Sequence, residues 1–474
     1  MKRIITVLII IGSLILTMNN CKRQTGKQGE ASGQVPDTSF TGAEDEVVLM
    51  TLDPGHFHAS LVQKYMVPQV SPEAYVYAPK GPDVQRHLDR IENFNSREED
   101  PTNWQEHVYT GDDFLEKMVE ERPGNVVVIS GNNAKKTKYI KTCVDNGLNV
   151  LADKPMVISP DKYPELEESF DIADKKGLFV YDIMTERNEV TAILQKRLAH
   201  MPEIFGQMLE GTEENPAFIQ RSVHHWFKYV AGEPIKRPPW FFDETQQGEA
   251  IVGVSTHLID LIQWETYPQQ VLKKSDIELL SASHWTTPLS LQQFQKVTRE
   301  DEWPSYLKKE LEDGKLNVYS NGEMNYTLKD MHARVRVEWH FQAPEGGGDT
   351  HYAIMRGSRC NLIIRQGKEQ NYQPELYVEL TGDVDPSDYE KRLKQAVEND
   401  LGHDGLGITK MDGNTWRVDI PDMHREGHEA HFRSVMEQYL EYLRQGEIPD
   451  WETSYMRVKY YLTTRALEMA RSNE

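Results

Sequence analysis

Lys154 stands directly before Pro155, at the end of the apolar run Asn149-Val150-Leu151-Ala152. A strand terminus puts such an ammonium at the carboxyl edge of a sheet, where α/β proteins bind ligands, and there it can orient a hydroxyl and stabilise a developing alkoxide. His257, within the apolar stretch Ala250 to Leu261, is of the residue type whose unperturbed pKa lies near working pH, so it is the candidate to take the hydroxyl proton. His224-His225-Trp226 follows a strand-like run, Phe218 to Val223. Aromatic faces stack on sugar rings and imidazoles bond hydroxyls, which makes the triplet a substrate candidate. His424, His428 and His431 fall at i, i+4 and i+7 on one face of a helix, a spacing able to bind metal. No Cys and no second His motif joins them, so no metal is expected, and packing or substrate contact is the reading for these three.

To meet, these residues need strands and helices that alternate. Val47 to Leu52 is β-rich, Asp53-Pro54-Gly55 breaks it, and a helix-compatible stretch runs on to Met66. A strand at Ala74 to Tyr77 leads into a polar segment, followed by a helix at Phe114 to Glu121 and an apolar strand at Asn125 to Ser130. A helix near Lys135 to Asn146, the strand ending at Ala152, a helix at Pro164 to Lys176 and a strand at Leu178 to Tyr181 continue the cycle. Unalternating apolar strands between helices predict a Rossmann-type, doubly wound parallel sheet over 46–185. Beyond it the rhythm changes. Ala333 to Phe341 alternates around Val335, Val337 and Trp339, which predicts a C-terminal α+β domain over 186–474 with an open, mostly antiparallel sheet able to pair subunits. Helices are expected at His424 to Tyr442 and Tyr455 to Ala470.

The turn after the first strand is where a dinucleotide pyrophosphate would meet a helix N-terminus. Asp53-Pro54-Gly55-His56-Phe57-His58-Ala59 keeps one glycine of the GxGxxG pattern, which makes Asp53, Gly55, His56 and Phe57 the cofactor candidates. Tyr77-Ala78-Pro79-Lys80 stands where an acidic residue commonly binds ribose, so NAD and NADP both remain open.

The 474 residues suit two domains, and a formal charge of -22, from 53 basic and 75 acidic residues, argues against nucleic acid as a partner. Lys2 and Arg3 precede an apolar run, Ile4 to Leu16, which is short for a membrane span and reads as an export signal. Cys21 beyond it resembles a bacterial lipoprotein site, implying a lipid anchor and a periplasmic or cell-envelope location. Lys22 to Asp45 then reads as a flexible tether. Cys143 and Cys360 show no paired spacing; an oxidising compartment would allow one bridge between them.

Two segments carry a resemblance to a known family. Val126 to Asn133 followed by Asn149 to Met156 resembles the strand-helix-strand unit that ends in Glu-Lys-Pro in the Gfo/Idh/MocA oxidoreductases, with Asp153 in place of Glu and Lys154-Pro155 intact. Gly248 to Leu261 is similar to the family helix that carries the active-site His. The resemblance implies an NAD- or NADP-dependent oxidoreductase acting on a secondary hydroxyl of a sugar or glycoside, with tightly held cofactor and a homo-oligomeric state. It implies Lys154 and His257 as catalytic residues, and Ser130, Asn132, Asn133, Asp153, Lys154 and Pro155 as cofactor contacts. Glu186, Arg187, His224, His225, Trp226 and His257 would meet substrate. Gly253 replaces the Asp usual four residues before the His, so Asp182 or Glu186 is the substitute acid. Two other readings stay open: an NAD-dependent glycosidase working by oxidation and elimination, and a sugar-binding lipoprotein without catalysis.

Overall fold

The computed structural model describes residues 40–230 and 233–473. Ile4 to Leu16, Cys21 and most of the expected tether lie outside these residues. The end of that tether is folded, because Phe40 is buried in a core and the Glu46 carboxylate accepts the backbone N–H groups of Thr41, Gly42 and Ala43. No helix among the described residues is long and apolar enough to cross a membrane.

Strands β1 (Leu49–Leu52), β2 (Glu73–Ala78), β3 (Gln105–Thr110), β4 (Val126–Ile129), β5 (Asn149–Asp153) and β6 (Val180–Ile183) form one sheet in the order β3-β2-β1-β4-β5-β6. Every pairing in it is parallel. Its four central and far strands, β1, β4, β5 and β6, are buried at every position, as the unalternating runs predict for a sheet covered on both faces. The strand order reverses between β1 and β4, where ligands bind in such sheets.

The helices depart from expectation at one end. Helix α1 (His58–Leu61) is a single turn and does not reach Met66. The polar segment after β2 folds as α2 (Pro82–Ser96) and the edge strand β3. Helices α3 (Phe114–Glu121), α4 (Asn133–Asp145) and α5 (Tyr163–Lys176) lie close to their expected positions.

The second sheet has ten strands. Phe218–Phe227 pairs parallel with Met331–Gln342 and antiparallel with Thr350–Arg356, and the other pairings are antiparallel. His224-His225-Trp226 therefore lies inside a strand instead of after one.

The last two helices, His428–Gln445 and Asp450–Ser472, bind the halves together. Phe432, Tyr439 and Leu443, with Met456 and Tyr460, complete the core of the first sheet. On the other face of the final helix, Tyr455, Val458, Leu462 and Leu467 join the core of the second. Cys143 is buried in the first core and Cys360 in the second, both as free thiols, so they form no bridge.

An ionic cluster reinforces this junction. Arg187 donates to both oxygens of Asp260 (2.6 and 2.8 Å) and to Glu452 (2.8 and 2.9 Å). Lys459, fully buried, bridges Asp182 at 2.7 Å and Asp260 at 2.8 Å. Hydroxyls of Tyr460 and Tyr442 donate to Asp182 and Glu452. Strand β6, the helix Ser255–Thr266 and the final helix are thereby tied at one point.

Candidate active site

A cavity of about 600 Å³ opens over the carboxyl ends of β1, β4 and β5 and is roofed by the second sheet. On its floor lie His56, Phe57, Gly131, Asn133 and Asp153-Lys154-Pro155; Glu186 and His257 form a side. Ser222, His224 and Trp226 reach it at alternate positions of one strand, as the two-residue repeat of a strand dictates. His428 and His431 also line it.

Several predicted residues serve the scaffold instead. Arg187 and Asp182 belong to the buried ionic cluster and are absent from the cavity wall, so neither meets substrate nor acts as the substitute acid. Asn132 caps α4, accepting the Ala134 N–H at 3.1 Å, and donates to Gln246. Ser130 donates to Asp153 Oδ2 at 3.1 Å. Asp53, at φ 47°, accepts from Lys135 and Tyr139. Gly55 packs under Trp240: a Cβ there would lie 3.0 Å from the indole. His225 is 3% exposed, with Nδ1 3.1 Å from Asp349. Trp226 touches the cavity but is 1% exposed, and its ring packs edge-on to Phe242 within a hydrophobic cluster. His424 precedes the helix that begins at His428, and its Nε2 meets the Asp404 carbonyl, so the three-histidine face does not form.

His257 is buried, and that burial together with the Lys154 ammonium holds its pKa well below 6.5. It is neutral near pH 7 and a weaker base than its residue type suggests. Its Nδ1 has no hydrogen-bond partner among the described residues, which fits the absence of a carboxylate at Gly253. A Cβ at Gly253 would meet nothing closer than 3.5 Å, so the missing acid leaves open space in the cavity wall.

Glu186 is different. Burial and the neighbouring Glu189 carboxylate push its pKa up to about 7, against the pull of Lys154 and Lys228. A carboxyl at that value exchanges a proton at neutral pH, which suits general-base chemistry.

Sequence reasoning missed most of the roof. Trp339 stacks on His224 with ring centroids 5.0 Å apart and borders the cavity beside Phe241. Asp349 gathers His224 at 3.2 Å, His225 at 3.1 Å and Lys228 at 2.5 Å, and against the cost of burial the contacts with the two imidazoles and the Lys228 ammonium hold its carboxyl far below the usual range. Lys136, also missed, is buried in α4 and donates to the Asp153 carbonyl at 2.7 Å and the Lys154 carbonyl at 3.3 Å, fixing the backbone that presents Lys154. Burial lowers its pKa to about 8.

The floor holds one tight cluster. The Nδ1 of His58 lies 3.1 Å from both oxygens of Asp153, and that of His56 lies 3.3 Å from Oδ2.

Residues 194–471 match the family described as "Putative oxidoreductase C terminal domain". No curated protein matches the chain. The crystal structure of a "putative oxidoreductase" from Parabacteroides merdae is 52% identical with a TM-score of 0.90, covering 92% of this chain and 100% of that one. More distant likenesses concern the fold. Levoglucosan dehydrogenase in complex with NADH is 12% identical with a TM-score of 0.58, over 90% of this chain and 98% of its own. A 3-ketoreductase from Actinomadura kijaniata, in complex with NADP and TDP-benzene, is 12% identical with a TM-score of 0.54, over 89% and 97%.

Proposed function

The chain belongs to this oxidoreductase family and is of the Gfo/Idh/MocA type, and from that premise we propose that it oxidises a secondary hydroxyl of a sugar or glycoside with NAD or NADP. The observation that carries the reading is Lys154 and Glu186, an ammonium and a carboxyl poised near neutrality, on one cavity at the switch point of a Rossmann-type sheet.

Phe57, Gly131, Asn133 and Pro155 border the cavity at that switch point and fit the nicotinamide end of a dinucleotide. Toward the adenosine end Trp240 covers Gly55 and donates to Asp83 Oδ2 at 2.9 Å, so an extended dinucleotide requires this indole to leave the glycine. Bound nicotinamide supplies a hydride acceptor. The chain's own groups do the rest. Trp339 offers an apolar face to the ring of a sugar, Lys154 polarises the hydroxyl oxygen, Glu186 in its ionised form takes the O–H proton, and neutral His257 orients the same hydroxyl.

The pH dependence follows from the sign of the Glu186 shift. The base works when ionised, so kcat rises with pH through about 7. Glu186→Gln is expected to flatten that limb and to lower kcat about a hundredfold. A limb that survives in Glu186→Gln would move the base elsewhere.

Protein purified without added nucleotide and then denatured is expected to release NAD or NADP, identified by mass spectrometry. No release, and no binding of either added nucleotide, would leave a sugar-binding protein. With cofactor bound, incubation with a glycoside should yield a keto-sugar and reduced nicotinamide. Free sugar with oxidised nicotinamide would instead assign oxidation followed by elimination. Export and lipidation at Cys21 are part of the same proposal, supported by Lys2, Arg3 and the apolar run Ile4 to Leu16.

A further inference from the structure

We propose that His56, His58 and Asp153 bind a divalent transition-metal ion of the zinc class on the floor of the cavity. One ligand atom from each residue can be chosen so that all lie within 4.8 Å of one another. The separations from imidazole to carboxylate, 3.1 and 3.3 Å, correspond to the edge of a tetrahedron whose bonds are about 2.0 Å, the length of zinc–nitrogen and zinc–oxygen bonds.

As a purely internal hydrogen-bond arrangement the cluster is poor. Two imidazoles aim the same ring nitrogen at one carboxylate. His58 Nδ1 sits equally far from both oxygens, and His56 Nδ1 forms no directed hydrogen bond. Asp153 already accepts from Ser130. An ion between the three would give each nitrogen lone pair a partner.

The surroundings are those of a held ligand set. Ser130 fixes one carboxylate oxygen, and Lys136 fixes the Asp153 carbonyl, so the strand end that carries the carboxylate is anchored from two sides. Phe432 packs edge-on against the His58 ring at 4.7 Å and orients it. The ring of His428 stands 5.4 Å from that of His58. His56 and Asp153 both line the cavity, so a remaining position is open to water or a substrate oxygen beside Lys154. Two histidines with one carboxylate and open positions suit Zn²⁺, Fe²⁺ or Co²⁺ and disfavour Mg²⁺ or Ca²⁺. The positive charges of Lys136 and Lys154 oppose the ion, and the Asp153 carboxylate offsets them.

The metal site shares the cavity floor with the proposed nicotinamide position, and the two are tested separately. Metal content tests one and nucleotide release the other, and either can fail alone. Full-length protein stripped with EDTA and dialysed against Zn²⁺ is expected to retain about one ion per chain by elemental analysis and to unfold at a higher temperature. Loading with Co²⁺ should give the visible absorption of a four-coordinate ion. His56→Ala, at the more exposed ligand, should weaken Zn²⁺ binding on the order of a hundredfold or more, as should His58→Ala and Asp153→Asn. His224→Ala, a roof residue outside the cluster, should bind as the wild type does. Retention of less than a tenth of an equivalent by the wild type, for Zn²⁺ and also for Fe²⁺ and Co²⁺, overturns the proposal. So does undiminished binding in His56→Ala. If His58→Ala or Asp153→Asn fails to fold, the wild-type stoichiometry and His56→Ala decide.

Discussion

Lys154→Ala is expected to lose about a thousandfold in kcat while unfolding at the same denaturant concentration as the wild type. The side chain borders the cavity and belongs to no hydrophobic core, so its removal opens no void in packed structure. What disappears is the ammonium positioned where an alkoxide develops, in a site whose walls restrict water. A second readout separates this role from simple charge loss. Lys154 draws the Glu186 pKa down, so the residual activity of Lys154→Ala should rise with pH along a limb displaced above the wild-type position near 7. Turnover within threefold of the wild type, measured on a substrate that reduces the nicotinamide, would remove Lys154 from the mechanism.

Asp260→Ala is expected to cost about 3–5 kcal/mol of folding stability, measured by urea denaturation, because it strands Arg187 and the fully buried Lys459 without their shared carboxylate. The Arg187 and Lys459 cations hold Asp260 below the usual carboxylate range. The sign follows. A carboxyl depressed in the folded state contributes stability that is present above its unfolded pKa of about 4 and is lost as pH falls through the folded value. The wild type should therefore lose stability progressively below about pH 4, and Asp260→Ala should lose less over the same interval. A variant as stable as the wild type at pH 7 would show that the cluster is spectator charge.

The Rossmann half was legible where strands carry continuous apolar runs, such as Val126–Ile129, since only a sheet buried on both faces uses them. Edge strand β3, Gln105–Thr110, escaped because its residues are mostly polar and half exposed, and α2 escaped because only Val84, His87 and Ile91 are buried on it. Lys154 and His257 were legible from local signals, a strand terminus and a His on an apolar helix. The roles of Arg187 and Asp182 were not, because their partners Asp260, Glu452 and Tyr460 lie between 73 and 278 positions away. Likewise Trp339 pairs with His224 across strands and Asp349 reaches it from just before the strand Thr350–Arg356, a proximity that no spacing along the chain encodes. The pKa of His257 was misjudged for the same reason: residue type sets the reference value, and burial beside Lys154 moves it.

The shared final helix also makes the integrity of one half depend on the other. Strands β1 to β6 are complete by residue 183, yet Met456 and Tyr460, which close their core, lie near the other end of the chain. A fragment that ends at Ala199 therefore lacks the helices His428–Gln445 and Asp450–Ser472, whose side chains complete the core of that sheet. Both cores draw side chains from this one helix, which neither half owns. A fragment ending before Asp450 lacks Met456 and Tyr460 and should therefore leave part of the first core exposed to chaperones or to other copies of itself.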